Sequence, residues 1–241
     1  MAARFISLRT SPTLKLACRG FIFGVAALFL IYSQGSLWAS LIFLAVALIM
    51  YFQPALRSAT FLASFIALVL LPFLLPPMPA SGLVIATIMG ISFAVLYGVK
   101  NLEVVSRKGW YTFVHFSILA SYGAIIIYNN FSIWSEILGF ILFLFLFGEF
   151  YRKMSPLRGD RLRLVAGIMS LLSIELLGVL TLLPVGFIAG AALFTLVTYA
   201  MFDTYSNQLN GQFTKNLILR NITLLTLSSL VVMALSNWTL Y

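Results

Sequence analysis

The sequence predicts an all-α polytopic membrane protein: a bundle of about nine transmembrane helices with short loops, its N-terminus cytoplasmic and its C-terminus outside. Three observations carry that prediction. The chain is 62% hydrophobic and only 9% charged, against roughly a quarter charged for a soluble domain. Its apolar residues gather in stretches near the ~20 residues a helix needs to cross the hydrocarbon, and none is shorter than about 17. Its fifteen Lys and Arg residues fall before or at the start of the first stretch and then in or beside every second connection. Enrichment of Lys and Arg in short cytoplasmic loops is the strongest orientation signal such a sequence carries.

The first span, Leu16–Gln34, follows a basic cytoplasmic segment, residues 1–15, that holds Arg4, Arg9 and Lys15. A basic stretch before Phe21–Tyr32 has the layout of a signal peptide, but no small-x-small cleavage site follows, so it reads as a retained span. SQGS turns the chain into the second span, Ser36–Phe52, and QPALRS, with Arg57, leads to the third, Ala59–Leu75. The chargeless PPMPA precedes the fourth span, Ala80–Val99; NLEVVSRKG then supplies Arg107 and Lys108, next to Lys100. The fifth and sixth spans, Trp110–Tyr128 and Phe131–Phe150, share the chargeless turn YNNF, and RKMSPLRGDRLR carries five basic residues to the seventh, Leu164–Leu183.

Leu164–Phe202 is continuous apolar sequence. A single helix of that length would run to ~60 Å at ~1.5 Å per residue, about twice the hydrocarbon thickness. A hairpin at Pro184-Val185-Gly186 is therefore expected, because proline removes a helix donor and glycine permits the turn. A re-entrant break there is the alternative, and it would invert the last span. The eighth span is Val185–Phe202; DTYSNQLNGQFTKN leads to the ninth, Leu217–Trp238. Trp38, Tyr128, Trp134, Trp238 and Tyr241 fall near expected outer ends and Trp110 near an inner one, as interfacial aromatic belts require. No connection is long enough to fold separately, so the expectation is one transmembrane domain over residues 1–241.

The net charge of +9 is split among short loops beside apolar helices, which suits anionic lipid headgroups and not nucleic acid. Cys18 is the single cysteine, so no intrachain disulfide or thiolate cluster can form. There is no HExxH, GxSxG or P-loop, and no aspartate pair at helical spacing. No enzyme class, cofactor or metal is indicated.

The sharpest packing signal is Gly82, Ala86, Gly90, Ala94 and Gly98, a ridge spaced by four along span four; GFIAG places Gly186 and Gly190 in the same relation on span eight. Small residues at that spacing let two helix backbones approach closely. Glu175 is the one ionisable residue near mid-membrane, and intramembrane carboxyls mark proton or cation sites or interhelical hydrogen bonds. Its wheel neighbours Ile168, Leu171, Leu172, Val179 and Leu182 are apolar, so its own helix supplies no donor. Secondary polar candidates are His115, Arg220, Asn221 and Glu136. Arg152, Lys153, Arg158, Arg161 and Arg163 are candidates for lipid phosphate, which guanidinium recognises bidentately.

Three functional readings follow. The leading one is a non-enzymatic membrane subunit or scaffold that packs with other membrane helices, itself included, and with lipid. The others are a small proton- or cation-coupled transporter or channel using Glu175, and a lipid-modifying enzyme at the cytoplasmic headgroup level. The expected location is the cell membrane.

The charge pattern predicts that, with Cys18 removed, Asn101→Cys and Ser155→Cys are protected from an impermeant thiol reagent applied outside cells, whereas Asn130→Cys and Tyr241→Cys are labelled. Labelling at Asn130 with protection at Tyr241 would refute the hairpin at Pro184.

Overall fold

A computed structural model of the chain describes residues 12–53, 60–75, 82–101, 106–129, 133–154, 159–209, 211 and 213–235. Their helices are α1 Pro12–Tyr32, α2 Leu37–Phe52, α3 Leu62–Leu74, α4 Gly82–Asn101, α5 Arg107–Tyr128, α6 Ile133–Met154, α7 Asp160–Thr181, α8 Phe187–Leu209 and α9 Lys215–Leu235. No strand occurs among the described residues.

Six helices are long and apolar enough to cross a membrane: Leu14–Tyr32 of α1, α5, Trp134–Met154 of α6, α7, α8, and Lys215–Ala234 of α9. Leu37–Phe52, Leu62–Leu74 and Ile85–Asn101 are shorter apolar stretches. The 13 residues of α3 rise only ~20 Å, less than the ~30 Å of hydrocarbon.

Helices overrun the hydropathy boundaries at their basic ends. α1 begins at Pro12 and not Leu16, α7 at Asp160 and not Leu164, and α6 runs on to Met154. The largest correction is α8, which continues past Phe202 to Leu209, so the first half of DTYSNQLNGQFTKN is helix and not loop. Hydropathy marks where side chains stop being apolar, whereas backbone hydrogen bonding continues through polar residues that suit a helix. At Pro184 the expected interruption is present: residues 182–186 separate α7 from α8, with Leu182 N–H bonded to the Val179 carbonyl at 3.1 Å.

The chain forms two compact units, residues 1–117 and 118–241, divided within α5. The first is organised by α1 against α4. A Cβ built on Gly90 would lie 2.7 Å from the Gly20 carbonyl oxygen, and one on Gly20 would lie 2.6 Å from the Gly90 oxygen. A Cβ on Gly24 would approach the Ala86 oxygen at 3.0 Å, and one on Gly82 the Ile31 side chain at 3.3 Å. The partners descend along α4 as α1 ascends, so the helices are antiparallel with their backbones in contact. Ala94 meets the same seam at Gly20, and Gly98 is buried farther along α4. Beside the seam, Phe23 stacks on Phe93 at 4.2 Å, and Tyr51 on Phe65 at 3.9 Å.

The second unit packs apolar side chains into glycine notches. The space a Cβ at Gly123 would take is filled by Phe194, at 2.7 Å; Ile174 stands at 2.9 Å from that of Gly139, and Ile127 at 2.9 Å from that of Gly190. Phe194 also stacks on Phe143, and Phe150 meets Phe202 edge-on at 4.8 Å. Gly186 has open space around it, as does Gly167, so of the GFIAG pair only Gly190 lies in a close contact.

Large apolar side chains face outward on many helices, among them Leu182 at 84% exposure and Trp134 at 75%. Soluble monomers rarely show contiguous apolar surface on that scale, and helices of this length and composition are those of an integral membrane protein. Trp38, Trp110, Tyr128 and Trp134 are all exposed near helix ends, where interfacial rings belong. Trp238 and Tyr241 lie outside the described residues.

Gly90→Ala should lower the thermal stability of the purified protein by about 1–3 kcal/mol, since an added methyl has only backbone to move against. Gly167→Ala, into open space on α7, should be neutral or slightly stabilising. Thermal unfolding of the two variants in the same detergent tests this; equal behaviour would mean that the α1–α4 contact is loose.

Candidate functional site

The C-terminus of α2 has no basic residue in its last turn, so its free carbonyls and the negative end of its dipole need partners from elsewhere. α1 and α4 supply them. Arg19 donates to the Gln53 carbonyl at 2.6 Å and to that of Met50 at 3.4 Å, with its guanidinium 4.1 Å above the Tyr97 ring. Lys100, although 2% exposed, donates to the Tyr51 carbonyl with Nζ 3.7 Å over the Tyr51 ring. Tyr97 hydroxyl donates to the same Gln53 carbonyl at 2.9 Å. Two cations that read in sequence as orientation charges thus clamp three helices together. No local pattern marked them, since most helices of the chain likewise end without a basic residue.

A second polar cluster joins α8 to α9. Asp203 accepts from Arg220 at 2.6 Å and from Asn221 Nδ2 at 3.0 Å through the same oxygen. Asn221 also donates to the Thr204 hydroxyl at 3.0 Å, and Asn207 donates to the Asp203 side chain at 3.1 Å and to its carbonyl at 2.7 Å. Arg220, one of the secondary polar candidates, is turned onto this carboxylate. Asn221 is the one buried residue among the described residues of α9. Asp203 was passed over because it sat in an apparent loop; its i, i+4 relation to Asn207 is a helix-stabilising pair and was the available clue.

Glu175 lies on the exposed face of α7. Its wheel neighbours Ile168, Leu171, Leu172, Val179 and Leu182 are exposed with it, and no described residue meets it with a hydrogen bond or ion pair. The carboxyl thus stands outward on an apolar strip. Counted from Asp160, it lies about 22 Å along the helix at ~1.5 Å per residue.

The remaining candidates are dispersed. His115 is fully buried between Tyr111, 6.3 Å away, and Phe116, 5.5 Å away. Glu136 is half-buried in the first turn of α6, where an acid suits the helix dipole. Arg152 and Lys153 are exposed in the last turn of α6, and Arg161 and Arg163 are exposed in the first turn of α7. Arg163 pairs with Asp160 at 3.7 Å in solvent-exposed positions; such a pair contributes little. Arg158 lies outside the described residues. Tyr151, Ser173 and Thr198, which sequence analysis did not single out, are buried with hydroxyls that have no partner among the described residues. No group of three His, Cys, Asp or Glu gathers there in metal-binding proximity.

Comparisons with protein-family models, with curated proteins and with solved structures find no match to this chain.

Asp203→Ala removes the acceptor for two α9 side chains, and about 1–3 kcal/mol of α9 docking should be lost, as for hydrogen bonds to a charged group. Hydrogen exchange at the α9 amides should quicken while α1 and α4 exchange is unchanged. Unchanged α9 exchange would show that apolar contact alone holds it.

Proposed function

We propose that this chain is a multi-pass membrane subunit whose α7 face receives a further membrane helix, with Glu175 as the polar contact. The observation that carries the reading is the outward position of Glu175. A carboxyl at this depth facing hydrocarbon is costly, and a donor from a docked helix removes that cost. The surrounding Ile168, Leu171, Leu172 and Val179 form the apolar strip that such a helix would pack against.

In this reading all nine helices cross the membrane, the bilayer thinning around the short α3, with the basic helix ends on the cytoplasmic side. Arg152, Lys153, Arg161 and Arg163, exposed at the ends of α6 and α7, meet anionic headgroups together with Arg158. Lipid binding there is then electrostatic anchoring, at about 1 kcal/mol per basic residue. Coupled transport through Glu175 fits less well, because its outward face would require a path completed by another chain. A lipid-modifying site has no support beyond the same basic residues, for His115 is buried between aromatic rings.

A photo-crosslinking residue in place of Leu172, activated in intact membranes, should yield a protein adduct. Adducts to lipid alone at Leu172 would overturn the docking reading. Proton- or cation-coupled flux in vesicles, lost with Glu175→Gln at unchanged folding, would replace it by transport.

A further inference from the structure

We propose that the helix covering Glu175 is α9 of a second copy of this chain. The inference rests on the reading of Glu175 as a docking residue and names its partner.

The argument begins with α9, which is nearly uncovered. Asn221 alone is buried among its described residues, and Leu219, Ile222, Leu224, Leu227, Leu230 and Val231 are all exposed. A helix that is apolar all round needs either lipid or protein around it. α9 is also rich in hydroxyls, with Thr223 and Thr226 exposed and Ser228 and Ser229 partly so. Hydroxyls projecting from a membrane helix act as interhelical donors, and those of Thr226 and Ser229 lie three residues apart, hence on one face.

Depth matches as well as chemistry. Thr226 and Ser229 lie about 17 and 21 Å from the start of α9 at ~1.5 Å per residue, beside about 22 Å for Glu175 from the start of α7. Both helices begin with charged residues, Asp160, Arg161 and Arg163 on α7 and Lys215 and Arg220 on α9. Read with the same orientation, they run parallel and bring carboxyl and hydroxyls to one level. Two turns nearer the start, Ile168 on α7 and Ile222 on α9 are both exposed and take equivalent places. Arg220 does not compete, because it is engaged by Asp203 within its own chain.

A symmetric dimer would close the contact. Within the second unit α7 and α9 each pack on α8. A two-fold axis along the membrane normal would set α7 of each copy against α9 of the other, so the same contact is made twice and no open chain forms.

The test uses the full chain in two differently tagged versions co-expressed in membranes, both with Cys18→Ser. One carries Ile168→Cys and the other Ile222→Cys. Mild oxidation should give a mixed disulfide joining the tags. Glu175→Ala in the first version, or Thr226→Val with Ser229→Ala in the second, should cut its yield roughly three- to tenfold, the effect of losing one interhelical hydrogen bond. Glu175→Gln, which keeps an acceptor, should stay close to the starting yield. No mixed disulfide, with a photo-crosslinker at Leu172 joining a different protein, would overturn self-association and leave the docking reading standing. No mixed disulfide with lipid adducts alone at Leu172 would overturn both. A mixed disulfide unaffected by Glu175→Ala would overturn the assigned role of the carboxyl while the copies remain associated.

Discussion

The first unit depends on the backbone contact between α1 and α4. With Gly20 and Gly24 on one helix and Ala86, Gly90 and Ala94 on the other, no side chain separates the two. In lipid there is no hydrophobic gain from joining apolar helices, so close van der Waals contact and polar bonds must hold them. The contact also sets the register at the basic end. Arg19 immediately precedes Gly20 and comes to lie over Tyr97, one turn from Lys100, so both cations reach the same helix terminus. A larger residue in the seam would weaken more than one contact, because the clamp on α2 relies on the spacing the glycines permit.

The second unit follows a different logic. Its interior seats apolar side chains at glycines: Phe194 at Gly123, Ile174 at Gly139 and Ile127 at Gly190. A cluster of polar bonds between α8 and α9 lies at the basic end, around Asp203. Farther along the helices, Glu175 and the α9 residues Thr223 and Thr226 are exposed. Polar groups facing hydrocarbon are costly, so a surface of this kind suits assembly better than solitary existence in lipid. That uncovered polar surface is what the proposed docking reading rests on.

Much of the architecture could be read from the sequence. The apolar stretches, the break at Pro184 and the exposed aromatic ends all follow from local composition. Element ends were less legible, since a helix continues for as long as its backbone bonds are made, whatever the polarity of its side chains. α8 demonstrates this: Asp203 and Asn207 look like loop residues, but they bond along the helix and carry it to Leu209. Of the candidate site, the apolar surroundings of Glu175 were visible from helical periodicity. Its outward direction was not, because a wheel shows which residues share a face but not whether another helix covers that face.

The sequence by itself determined the membrane class, the ridge on span four and the grouping of basic residues, since each depends only on residue type and spacing along one helix. Tertiary structure decided which helix the ridge would meet, and it turned out to be α1, whose own Gly20 and Gly24 had gone unremarked. It likewise made Arg19 and Lys100 into a clamp on α2, turned Arg220 onto Asp203 and left Glu175 uncovered. The physical reason is the same in each case. Partners such as Arg19 and Gln53 are 34 residues apart in the chain, and no local pattern records a distance that only the packing of separate helices brings about.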